Sequence, residues 1–115
     1  MRRDLLEAIR STLEARRADL RSAIAAGEQA DVPIAPDKSL GRLTRMEALQ
    51  SQQMASALIQ RNRDELARVQ RALERIRSGS YGLCGRCGEE IAESRLLAVP
   101  DAIVCRDCAE RPVQR

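Results

Sequence analysis

The chain carries four cysteines as two identically spaced pairs, Cys84-Gly-Arg-Cys87 and Cys105-Arg-Asp-Cys108, with 17 residues between them. One Cys-x-x-Cys alone serves thiol redox exchange, metal binding or a disulfide. The second pair narrows the choice. A redox site needs one reactive pair and gives no role to another, whereas two pairs bend into two knuckles that aim four sulfurs at one centre, with Zn–S distances of about 2.3 Å. The chain has no histidine, so four cysteines are the one complete zinc ligand set on offer, and four thiolates leave no open position for a catalytic metal. The expected cofactor is one structural Zn²⁺ per chain on Cys84, Cys87, Cys105 and Cys108. An iron–sulfur cluster on the same thiolates is the alternative that spacing leaves open.

Gly85 and Gly88 are expected to give the first knuckle the tight backbone that turns N–H groups toward the thiolates. Arg86, Arg95 and Arg106 are expected to offset the negative charge of four thiolates on one divalent ion. The apolar content of this segment is Ile91, Leu96, Leu97, Ile103 and Val104, too little for about thirty residues to fold unaided. Metal binding, at roughly 10 to 16 kcal/mol in small zinc domains, supplies the difference.

The elements that must hold this segment lie upstream. Leu6, Ile9, Leu13, Leu20 and Ile24 recur at helical spacing through residues 3–27, which reads as one amphipathic helix. The stretch GEQADVPIAPDKSLG then breaks the period and bends the chain. A second helix is expected to begin between Leu40 and Thr44, where Thr44-x-x-Glu47 has the form of a capping box. Its seam, Ile59, Asn62, Leu66, Val69, Leu73 and Ile76, steps by three and four as a coiled-coil stripe does. Gly79 in Ser78-Gly79-Ser80 suits a left-handed cap. The expected fold is mainly α: an antiparallel two-helix coiled-coil hairpin over residues 1–80, its tip at about 28–43, and a small C-terminal four-cysteine zinc finger over 81–115. Arginines 61, 63, 68, 71, 75 and 77 are interleaved with acids and read as a solvated face.

Composition agrees with thin packing. One tyrosine and no Phe or Trp argue against a thick core and for aliphatic helix pairs. The formal charge of +3 falls to +1 when four thiolates hold one Zn²⁺, so basicity gives little support to a nucleic-acid surface. No apolar run is long enough to span a membrane and the N-terminus turns acidic early, so a cytoplasmic, reducing compartment is expected. An enzyme is not expected: histidine is absent, the cysteines are consumed, and neither a carboxylate pair nor a phosphate loop is present.

Residues 81–110, YGLCGRCGEEIAESRLLAVPDAIVCRDCAE, resemble the zinc-finger pattern of the DksA/TraR family of bacterial transcription regulators at Tyr81-Gly82, the four cysteines, Arg95-Leu96, Ala98 and Pro100. RNRDELARVQRALERI resembles that family's second hairpin helix. The resemblance implies a monomeric regulator that binds RNA polymerase, with the hairpin in the secondary channel and the zinc module on its rim, without contacting DNA. In DksA-like members the tip carries Asp-x-x-Asp-x-Ala; counting back from the first cysteine places Gly41, Thr44 and Met46 there, which marks a branch lacking the acidic pair. Arg42 and Arg45 beside Leu40, Leu43 and Met46 replace it. The candidate partner contacts are thus Arg42, Thr44, Arg45, Met46, Arg61 and Arg68. Of the basic positions tied to guanosine tetraphosphate in the family, only Arg68 is basic here, Val99 and Ala109 being apolar. A structural or adaptor zinc module that binds another protein or a nucleic acid is the second function class.

Overall fold

The computed structural model describes residues 1–30 and 42–111. In chain order the elements are α1 (Arg3–Ala30), α2 (Arg42–Ser78), α3 (Glu93–Ala98) and α4 (Arg106–Glu110). Among the described residues the extended pairing is one antiparallel bridge between Leu83 and Glu90. The fold is mainly α, a helical hairpin followed by a four-cysteine segment, as the periodicity predicts. At 37 residues and 1.5 Å per residue, α2 is about 55 Å long.

The chain packs as two compact units. The first joins Met1–Ala18 to the residues from Ala67 onward. Its buried side chains are Ile9 and Leu13 of α1, Val69 and Ala72 of α2, and Tyr81, Ile91, Leu96 and Ala102 of the cysteine segment. Ala72 is not part of the expected seam yet is fully buried, because a methyl side chain lets neighbouring backbones come close where Leu73 is only half covered. Leu97, expected in the apolar set, is 56% exposed; it follows the fully buried Leu96 on a helix whose next position turns about 100° away.

The second unit spans Asp19–Leu66. Leu20 and Ile59 are buried there, and Ile24, Asn62 and Leu66 are half-buried. Gly27 does not end the first helix, which runs on to Ala30. Its role is close approach: a Cβ at Gly27 would lie 2.9 Å from Ile59 Cγ1. One residue on, Glu28 is paired with Arg63 of α2. The tip expected at 28–43 is correspondingly shorter, since both helices run into it; its remainder lies outside the described residues. Thr44 sits in the first turn of α2 rather than before it, so the capping-box reading fails there.

The end of α2 follows its sequence. Gly79 takes φ 83°, its N–H donates to the Ile76 carbonyl at 3.3 Å, and the Ser80 N–H donates to the Arg75 carbonyl at 2.9 Å, the paired bonds of a Schellman cap. Arg75, read from sequence as part of a solvated face, is half-buried and donates to the carbonyls of Leu83 at 2.7 Å and Ser80 at 3.3 Å. Carbonyls past a helix end lack intrahelical donors, and an arginine fork one turn back reaches them.

Gly27→Ala should lower the thermal unfolding midpoint, overpacking against Ile59 outweighing the gain of about 1 kcal/mol in helix propensity. In an Ile59→Ala background the same substitution should raise the midpoint. An increase in both backgrounds would show that Gly27 is not set by this contact.

Candidate metal centre

The cysteine segment is built around backbone hydrogen bonds that bring the two knuckles together. Gly85 N–H donates to the Ile103 carbonyl at 2.8 Å, Cys84 N–H to Glu89 at 2.8 Å, and Ile91 N–H to Gly82 at 2.7 Å. The result places all four Sγ atoms within 4.8 Å of one another. Cys87 and Cys105 Sγ, one from each knuckle, are 3.8 Å apart, matching the edge of about 3.8 Å in a tetrahedron with Zn–S near 2.3 Å. The donor set and its spacing fit a tetrahedral thiophilic ion.

Backbone amides support the sulfurs. Arg86 and Cys87 N–H point at Cys84 Sγ at 3.4 and 3.5 Å, and Cys108 N–H points at Cys105 Sγ at 3.4 Å. The Cys105 thiol thereby also caps α4, a dual use that Cys-x-x-Cys spacing favours because the second cysteine falls at the N3 position. Of the two glycines expected to shape the first knuckle, Gly88 has φ 75° and Gly85 lies outside the left-handed region. At Gly85 the constraint is proximity, a Cβ there meeting the Ile103 oxygen at 3.3 Å.

Cys84 and Cys108 are buried, Cys105 half-buried and Cys87 exposed. The thiols share their protons unequally. Cys84 is lowered to about 5, chiefly by the Cys87 backbone N–H. Cys108 is pushed up to about 12 by its hydrogen bond with Cys105 and by burial. At Cys87 the Glu89 N–H favours the thiolate, but the hydrogen bond with Cys84 and burial oppose it and the thiol is raised. A divalent ion binding this cluster displaces the protons that Cys87 and Cys108 retain.

The arginines around the site act through carbonyls. Arg86 Nη1 donates to the Cys108 carbonyl at 2.7 Å and Arg95 Nε to that of Val104 at 3.2 Å, so both bring positive charge to the second knuckle. Arg106 instead pairs with Glu110 at 3.3 Å on an exposed face, which leaves it less to offset at the sulfurs than its position in sequence suggests.

Residues 79–114 match the prokaryotic dksA/traR C4-type zinc finger. The solved structure of transcription factor DksA2 from Pseudomonas aeruginosa superimposes with a TM-score of 0.77 and 30% identity, over 96% of this chain and 84% of that one. The chain belongs to the DksA/TraR family. Among curated relatives, a protein of Aquifex aeolicus is 53% identical over 45 residues, 39% of this chain and 31% of that one. The RNA polymerase-binding transcription factor DksA of Caulobacter vibrioides is 38% identical over 55 residues, 48% of this chain and 39% of that one. The match thus spans less than two fifths of either curated relative. As in the C4 fingers of the DksA/TraR family, the four clustered thiolates are the site of a structural zinc.

Further residues at this centre come from the family pattern and its surroundings. Tyr81 is buried, and its hydroxyl donates to the Pro100 carbonyl at 2.7 Å, tying the start of the finger to the segment before its second knuckle across 19 positions. Asp101, next in the chain, pairs with Arg68 of α2 at 3.3 Å. Arg68 is one of the expected partner residues; the others are not at this centre, Arg42 opening α2, Thr44, Arg45 and Met46 being exposed in its first turns and Arg61 exposed farther along. Sequence spacing alone did not identify Tyr81 or Asp101 as parts of this support; the family's Tyr-Gly and Pro positions were the available signal.

Burial, with the Asp101 charge adding to it, pushes the Tyr81 hydroxyl up to about 12. Because the neutral form is favoured on folding, the associated stability is complete below about 10 and is lost as pH rises from there through about 12. Tyr81 is the chain's sole aromatic residue, so a phenolate absorbance titration reads it alone. The midpoint should lie near 12 in the folded protein and near 10 in denaturant; a folded-state midpoint near 10 would contradict the burial and the Pro100 bond.

Proposed function

We propose that the protein regulates bacterial transcription by binding RNA polymerase through its secondary channel, helical hairpin first, without contacting DNA. The observation that carries this reading is the likeness to a transcription factor of the same family over 96% of the chain, which covers the hairpin as well as the finger. The name of the Caulobacter relative, RNA polymerase-binding transcription factor, supplies the partner. A pair of helices, each about 10 to 12 Å across with its side chains, suits a passage that a thicker globule could not follow. The zinc finger would rest on the rim, and the protein would act as a cytoplasmic monomer and not as an enzyme.

The start of α2 sets the mode of action. With Thr44, Arg45 and Met46 exposed there and no acidic pair at the family's spacing, the protein acts by occupying the passage rather than by bringing carboxylates to the catalytic Mg²⁺. Arg42 and Arg45 supply the polar part of the contact. DNA binding is not favoured, because Arg63, Arg68, Arg77 and Arg106 are each paired with a carboxylate instead of forming one free cationic face. Arg68 is engaged by Asp101, and Val99 and Ala109 offer no cation. The family's basic contacts to guanosine tetraphosphate are thus incomplete here.

Labelled, zinc-loaded protein should bind purified bacterial core RNA polymerase at micromolar or tighter affinity and be displaced by a known secondary-channel protein. Absence of binding with zinc present would overturn this reading and leave an adaptor module for another protein.

A further inference from the structure

The first half of α2 breaks the pattern of the rest of the chain. From Ala48 to Gln60 there are thirteen residues without an Asp, Glu, Lys or Arg, where the chain's 32% charged content would place about four. The segment nevertheless exposes large apolar groups, Leu49 at 58%, Met54 at 73% and Leu58 at 51%, and Met46, just before it between Arg45 and Glu47, is 52% exposed. Within the same unit, α1 ends at Ala30, three residues past the contact of Gly27 with Ile59, whereas α2 extends seventeen residues from Ile59 back to Arg42. About fourteen described residues of α2, roughly 20 Å, therefore run beyond Ala30, the last described residue of α1.

The distribution of the exposed groups defines what covers them. At about 100° per residue, Leu49, Met46, Met54 and Leu58 spread over roughly 180° of the helix circumference, and Ile59, which is buried, lies on the opposite side. A second helix covers a stripe of little more than about 100°. A second copy of this chain apposing the same convex face would cover no wider a stripe. An occupant that matches both the arc and the missing charge is concave and uncharged.

We propose that Met46, Leu49, Met54 and Leu58 form the main polymerase contact, seated in a concave, predominantly uncharged protein groove that wraps half of α2. This rests on the polymerase reading above and names the chemistry of its docking surface. The unbranched methionines adapt to an irregular wall, and the glutamines and serines between them add hydrogen bonds without long-range charge. Binding is then carried by this face, with Arg42 and Arg45 contributing a smaller, salt-sensitive part.

The test is equilibrium binding of the full chain to core RNA polymerase for wild type and for Leu49→Gln/Met54→Gln, which keeps helix propensity and charge, with matching circular dichroism as the folding control. The double variant should bind at least tenfold more weakly, and wild-type affinity should fall less than threefold between low and moderate salt. Variant binding within twofold of wild type, or a wild-type affinity that drops tenfold or more with salt, would overturn the proposal while leaving polymerase binding standing. Absence of wild-type binding would instead remove the polymerase reading, and this inference with it.

Discussion

Four sulfurs within 4.8 Å of one another are the interaction on which the C-terminal third depends. Among the described residues its regular structure amounts to two helices of six and five residues and a single bridge, each too short to persist alone. The hydrogen bonds that shape it, from Gly85 to Ile103 and from Ile91 to Gly82, cross between segments that the metal centre holds adjacent together with the Tyr81–Pro100 bond. Zinc thus stands in for the core that Tyr81, Ile91, Leu96 and Ala102 begin but cannot complete. Arg75 and the Gly79 cap extend that order to the end of α2, where orphan carbonyls would otherwise face solvent or remain unpaired.

The hairpin follows a different rule. Lacking aromatic side chains, α1 and α2 gain stability by approaching closely at small residues, with Ala72 fully buried in one unit and Gly27 against Ile59 in the other. Cross-helix and cross-loop ion pairs such as Glu28 with Arg63 and Asp101 with Arg68 have one or both partners well exposed and set register more than they add free energy. Arg2, Arg10, Arg63, Arg68, Arg77 and Arg106 pair with carboxylates, and the uncharged, apolar arc of α2 is a surface distinct from these.

The sequence reading reached the parts governed by spacing. Two Cys-x-x-Cys pairs without histidine led to the four-thiolate centre, helical periods led to α1 and α2, and Gly79 marked the end of α2. It missed what depends on neighbours remote in the chain. Gly27 looked like a stop signal because its partner, Ile59, is 32 positions away. Thr44 matched a capping box that falls inside the helix, and Leu97 counted as core because composition does not record which face a short helix turns inward. Arg75 looked solvated because its acceptors are carbonyls, which carry no sequence signature.

The polymerase reading joins a metal-stapled finger to a stretch of α2, Ala48 to Gln60, that is uncharged and exposes apolar side chains. Without the finger the end of α2 loses Arg75's acceptors and Asp101's clasp on Arg68, so the account depends first on the metal. The most direct measurement is zinc content of freshly reduced, unchelated protein, paired with amide exchange at Cys84, Gly85 and Ile91 before and after chelation. The account predicts one zinc per chain, and protection at these amides that vanishes with the chelator and returns with added zinc. Protein with metal near zero and these amides still protected would contradict it.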